Sequence, residues 1–396
     1  MFLPVFRAGP CLLAALLLAT PCAFAHGPEH PLPPAAPADD PVSGFVEAFD
    51  KAVAAGLPAD IAVPVDVHRP RRDVAAAQLV VQDALNIEVD IPGMPAGRMY
   101  RGLFGGREAA ITRIGTQVDI SVPVRDGVDV TGYTAGSPDV LRERVRNPDA
   151  PEPGRRPVPR PRDESHVMPG WPFDMDPPLL SEQASLGRGV RAIEDPLAYS
   201  PHFFVLIHDD LDARPLHIHS VFAAWWLTEL ARKILPAENI RMSYRYRIPG
   251  VTDMPYGYPE ALDNWHETVK AYAELYGLAH GKTYKHKYLL MSRDRPMTDA
   301  FGVAFEGGNE AMASTEGRVN IVAHEFGHTL GAEHGLAERR YEGWWWCVTN
   351  MATGTDDLIG DCHRFSYDNA RRIRSYLRHG PDPEVLAERS FSMILN

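Results

Sequence analysis

The chain has no excess of positive charge: 40 Lys+Arg stand against 52 Asp+Glu, a formal net charge of -12. A nucleic-acid binder normally presents a basic face, so that class is disfavoured, and acidity of itself speaks mainly of solubility. Past residue 25, no stretch approaches the ~20 apolar residues that a membrane helix requires. No internal repeat stands out. Cysteine is scarce, four in 396 residues, and Cys11 and Cys22 fall in a leader-like segment. There Arg7 supplies a positive n-region, residues 11–19 (CLLAALLLA) a short apolar run, and Ala23-Phe24-Ala25 a cleavage site. The expectation is a signal peptide over residues 1–25 and export to an extracellular or periplasmic space. Cys347 and Cys362 would then meet an oxidising compartment. One disulfide is the simplest outcome there, and two buried thiols are the other.

What is present is enough for a sizeable core, with 45% apolar residues and a length above one average domain. Residues 26–42 are rich in proline and alanine and read as unstructured. From about 43 to 140, alternating runs such as Leu85–Ile91, Met99–Leu103 and Gln117–Val124 predict a small β-rich unit. Proline and charge crowd residues 146–180. In that linker Arg155-Arg156 and Arg160-Pro161-Arg162 are either processing sites or plain solvated residues. The expected organisation is a leader (1–25), a β-rich propeptide or accessory domain (26–145), a Pro-rich linker (146–195) and a second domain (196–396).

In the second domain, periods of two and 3.6 alternate. Strands are expected at His202–His208, Ile240–Ile248, His286–Ser292 and Phe301–Phe305. A helix capped by Ser220 should bury Phe222, Trp226, Leu230 and Ile234, and another should open at Pro259. This order predicts an α/β (α+β) domain with a mixed, mostly parallel sheet.

Residues 322–335 read VAHEFGHTLGAEHG. His324 and His328, four apart, project from one helix face and can share one ion. Glu325 lies beside them, placed to hold a water rather than to ligate. Gly331 tolerates φ > 0, so the chain can leave the helix sharply and bring His334 round. Three neutral imidazoles leave a coordination position open, the mark of a catalytic Zn2+ site. A bare HExxH arises often by chance on amphipathic helices, whereas HExxHxxGxxH fixes five positions.

With this motif the region 200–380 resembles the metzincin zinc endopeptidases. The resemblance implies His324, His328 and His334 as metal ligands, Glu325 as general base and Met351 as the methionine beneath the metal site. It also implies an active-site helix and an edge strand, Gly302, Val303 and Ala304, that pairs with an extended peptide, while Ala352, Thr353 and Gly354 line the pocket beyond the cut. The Cys347–Cys362 pair and residues 365–377 (FSYDNARRIRSYL) look most like the reprolysin, or adamalysin-like, branch. Gly335 departs from it, standing where that branch has aspartate. Thr353 replaces the metal-side tyrosine of other branches. Silencing by a propeptide cysteine is excluded, because residues 26–346 contain none; Asp174 and Asp176 are the candidate substitutes.

Weaker features carry plain alternatives. Trp344, Trp345 and Trp346 form either an aromatic rim or loop packing. His217 and His219 could contribute to a second metal site, and Asp356, Asp357 and Asp361 to a calcium site. The functional expectation is an exported zinc endopeptidase acting on protein or peptide. The alternatives are a zinc exopeptidase or amidase on small or cell-wall peptides, and a non-catalytic binding protein held together by its metal.

Overall fold

The computed structural model describes residues 41–64, 78–148, 200–342, 345–353 and 359–381, together with the backbone of 166–169. The leader, most of the linker, Asp174, Asp176, Trp344, Gly354, Asp356 and Asp357 lie outside the described residues. No described helix is long and apolar enough to cross a membrane.

Residues 45–55, expected within a β-rich stretch, form helix α1 (Phe45–Ala55). Its apolar residues Phe45, Val46 and Phe49 recur at helical spacing and pack on the sheet beside Tyr100 and Tyr133. Strand β1 (Ala59–Ala62) pairs antiparallel with β2 (Gln78–Asp90). An antiparallel meander follows: β3 (Gly97–Phe104), β4 (Arg107–Ile114), β5 (Gln117–Val124), β6 (Gly127–Thr134) and β7 (Val140–Arg146). The Gly105-Gly106 pair, with φ of 56° and 78°, turns β3 into β4, a two-residue hairpin that needs positive φ at both positions.

The predicted strands of the second half appear as β9 (His202–Ile207), β10 (Ile240–Tyr246), β11 (His286–Ser292) and β12 (Gly302–Glu306). Strand β13 (Glu310–Ser314) was not expected, since EAMAS has few β-formers. One sheet runs in the order β7-β6-β5-β4-β3-β2-β10-β9-β11-β13-β12-β8, where β8 is His166–Pro169. Its centre, β2-β10-β9-β11-β13, is parallel, β12 is antiparallel to β13, and the meander completes a mixed sheet. β9 and β11 are buried at every position, because helices cover both faces of the parallel part.

On one face lies α2, a continuous helix with α-helical Pro215–Ile218 and Ala224–Glu229 and π-helical His219–Ala223 and Leu230–Ile234. Pro215 opens it, six residues before the expected start. Ser220 is therefore no cap: inside the helix it donates to Asp119 Oδ2 at 2.7 Å and is also 2.9 Å from the Leu216 carbonyl. Beside α2 sits α4 (Ile321–Thr329), packed through Phe326 against Phe203 and Trp226. The other face carries α3 (Ala261–Leu275), whose Leu262, Trp265 and Val269 meet Phe204, Leu206 and Leu290. The described residues close with a small sheet, β14 (Arg339–Glu342), β15 (Trp345–Val348) and β16 (Gly360–Asp361), and with α5 (Tyr367–His379). Ser366 caps α5, accepting from Asn369 N.

Candidate metal centre

The HExxH segment forms α4, wholly buried between the sheet and the side chains of Met351 and Phe365. At its end Ala332 N donates to Gly327 O at 2.9 Å and Gly331 N to His328 O at 2.9 Å, with Gly331 at φ 77°. This left-handed stop is what glycine permits at low cost. It turns the chain back so that His334, on a single 3-10 turn (His334–Leu336), returns to the helix face.

The three imidazoles converge. Nε2 of His324 lies 3.1 Å from Nε2 of His328 and 3.0 Å from that of His334; His328 and His334 are 2.8 Å apart. Their other nitrogens are oriented from behind: His324 Nδ1–H donates to Asn350 O at 2.7 Å and His328 Nδ1–H to Ala332 O at 3.2 Å. Carbonyls only accept, so these bonds fix the tautomer and leave a lone pair on each Nε2. Burial lowers the His324 pKa to about 3 and moves His328 well down, so both rings are neutral at pH 7. Two lone pairs facing each other at 3.1 Å repel unless a cation lies between them. The donor set therefore fits a divalent ion, and three nitrogens suit zinc.

Glu325 is fully buried, and its carboxylate rests on the backbone of β12: a Cβ at Gly302 would lie 2.6 Å from Glu325 Cδ. Met351 is also fully buried, below α4, where a Cβ at Gly327 would meet its sulfur at 2.6 Å. A tight turn holds it there, Ala352 N donating to Thr349 O at 2.9 Å. Cys347 and Cys362 are joined in a disulfide that closes the segment containing this turn. Ala352 and Thr353 lead outward, half-buried and exposed.

Val303 and Ala304 are buried in β12, but β12 is not an open edge. Residues 166–169 pair with it in parallel as β8, with Val303 opposite His166 and Ala304 opposite Val167. A segment of the chain itself occupies the backbone expected to receive a peptide. His217 and His219 do not form a metal site. His219 is buried between Thr112 Oγ1 and Tyr244 Oη, each at 2.9 Å, and His217 faces Glu143. Of the calcium candidates Asp361 alone is described, and it pairs with Arg318 at 2.7 Å and accepts from Asn147 at 2.7 Å. Trp346 is 55% exposed and meets Tyr341, so of the three tryptophans it alone shows the expected rim character among described residues.

Sequence reasoning missed the residues that hold the centre from outside. Lys287, fully buried, donates to Gly308 O at 2.6 Å, Thr329 O at 2.8 Å and Tyr376 Oη at 2.9 Å, tying the end of α4 to the β12–β13 turn and α5. Asn369 brackets Glu333, accepting from its N–H at 2.8 Å and donating to its carbonyl at 3.0 Å, while Arg372 donates to Gly331 O at 2.7 Å. No local pattern marks these residues, because each acts across 21 or more positions.

No protein-family model and no curated protein sequence matches the chain. Among solved structures, the chain is similar to metalloproteinase-II from Bacteroides fragilis, with a TM-score of 0.52 and 12% identity, over 83% of this chain and 95% of that one. At this identity the likeness concerns the fold, a metalloproteinase fold, and does not extend to the reprolysin branch.

Proposed function

We propose that this chain is an exported zinc endopeptidase of the metzincin type. The observation that carries the reading is the convergence of three neutral imidazole Nε2 atoms, 2.8–3.1 Å apart, beside the buried carboxylate of Glu325. The similar fold of a metalloproteinase supports it.

When bound, zinc supplies Lewis acidity, which polarises a carbonyl and makes water acidic near neutral pH. The work of the chain is to aim and to move protons. His324, His328 and His334 would hold the ion, with the His324 ring oriented by Asn350 O and the His328 ring by Ala332 O. Glu325 takes the proton of the attacking water and passes it to the leaving amine. Met351 and the buried α4 keep the floor of the site rigid and dry.

Extended peptide would bind along β12. The pairing of β8 there supports this, since an extended segment lies along the strand on that side. It supports latency as well: in the full-length chain a substrate competes with residues 166–169 for the same backbone, so β8 acts as a tethered blocker until it is cut loose.

The test is cleavage of an unstructured protein by the zinc-loaded chain, full-length and after cutting near β8. Internal cuts that vanish with a chelator and return with zinc are expected. Trimming from chain ends alone would favour an exopeptidase. A folded holo-protein that cuts nothing in either form would overturn the reading.

A further inference from the structure

On the opposite side of the sheet from α4, three further side chains meet that the proposed reaction does not use. Glu310 opens β13, His266 projects from α3, and His280 comes from the segment after α3. One carboxylate oxygen, Glu310 Oε1, is 3.2 Å from His266 Nδ1 and in direct contact with His280 Nε2. All three donor atoms lie within 4.8 Å of one another. Their side chains are only 3%, 16% and 7% exposed for Glu310, His266 and His280.

The geometry points to a second divalent-cation site, with His266, His280 and Glu310 as ligands and zinc as the ion of matching donor preference. Two imidazole nitrogens and one carboxylate oxygen, drawn from three separate elements, form a recognised zinc donor set. Ligand atoms around one zinc sit roughly 3–3.5 Å apart, given bonds of about 2.0–2.2 Å; the His266–Glu310 separation falls in that range, and His280 and Glu310, in closer contact, would part to admit the ion. Lys287, whose pKa burial lowers well below the usual lysine range, does not approach the ion from the same side. Its neighbour Tyr288 is the residue opposite Glu310 in the β11–β13 ladder, and Lys287 itself reaches Thr329 of α4 across the sheet.

Such an ion would have a structural consequence for the catalytic side. Gly307, Gly308 and Asn309 immediately precede Glu310; Gly307 N donates to His328 O at 2.8 Å, and Gly308 O accepts from Lys287. Fixing Glu310 fixes the turn that holds the C-terminal end of α4. The competing description is a plain hydrogen-bonded triad in which Glu310 accepts from both rings, and it needs no metal.

Metal counting on the full-length chain separates the two. After loading with zinc and removal of excess, wild type should hold two equivalents, and His334→Ala and His266→Ala one each. The His266→Ala protein should also lose the share of zinc-dependent thermal stability that the His334→Ala protein keeps. Should His266→Ala fail to fold, stepwise titration of apo wild type with cobalt gives the same decision: two spectroscopically distinct equivalents support the site, and a single one overturns it. A zinc-free His334→Ala protein, or His266→Ala with the wild-type metal content, would also overturn it. His334→Ala retaining one ion while His266→Ala holds none would uphold this site and count against the catalytic one.

Discussion

Replacing Gly302 by alanine is the sharpest probe of how Glu325 is positioned. The backbone of Gly302 lies in a regular strand outside the left-handed region, so alanine is conformationally acceptable. The obstacle is space. The added methyl would sit 2.6 Å from Glu325 Cδ and 2.7 Å from Cγ and closer still to Oε1, whereas carbon atoms at rest are about 3.5–4.0 Å apart. The carboxylate or the strand must therefore give by about 1 Å, a misplacement that costs about 100-fold in rate when it falls on a reacting group. A general base contributes about 10²–10⁴-fold, so kcat/KM should fall within that range. Overpacking should also lower stability by about 1–3 kcal/mol. The assay pairs peptide kinetics, in whichever form shows turnover, with zinc content and a melting curve. Shortening the acid should make room, so Glu325→Asp combined with Gly302→Ala should fall short of the summed losses of the single changes. A folded, zinc-loaded Gly302→Ala protein with wild-type kcat/KM would refute the reasoning.

Glu325→Gln should keep zinc stoichiometry and lose about 10²–10⁴-fold in kcat/KM; retained turnover would remove Glu325 from its role. Cutting the chain on both sides of residues 166–169 should raise kcat/KM toward an extended peptide about ten-fold or more, because a tethered strand competes at millimolar effective concentration; an unchanged value would mean that β8 does not block β12. Acid should weaken the fold through His219, whose pKa burial lowers from 6.5 to about 3. The unfolded chain then binds the extra proton below pH 6.5, so stability falls as pH drops from 6.5 toward 3, by about 2 kcal/mol at pH 5 from this ring. Asp119 and Glu229, raised by burial to about 6 and about 8, act in the opposite sense. The measurement is therefore the difference between wild type and His219→Gln in urea unfolding at pH 7 and pH 5, and equal losses in both would contradict it.

Much of the centre was legible because its information is local. His324, His328, Gly331 and His334 lie within eleven residues, and helix geometry with one left-handed stop nearly fixes their meeting. The parallel strands were legible too, since HFFVLI and HKYLLMS are apolar enough to declare two covered faces. The start of α2 was misjudged because Ser220 matches a cap by type, whereas its actual partner, Asp119, is 101 residues away. The open state of β12 failed for a similar reason: the strand that covers it comes from a proline-rich stretch with no pattern of its own. His266, His280 and Glu310 stand 14 and 30 residues apart, spacings that carry no signal until α3 and β13 are packed.

The parallel pairing of β2 with β10 bears on how maturation could proceed. Ile87 to Asp90 lie alongside Ile240 to Ser243, and Arg245 is anchored to Asp90 at 2.7 Å. Proteolysis anywhere in 149–199 would sever the covalent link without undoing this seam. The expected product is a nicked, two-chain molecule whose amino-terminal half stays attached, since its departure would strip β10 of a hydrogen-bonding neighbour and invite a foreign chain to replace it.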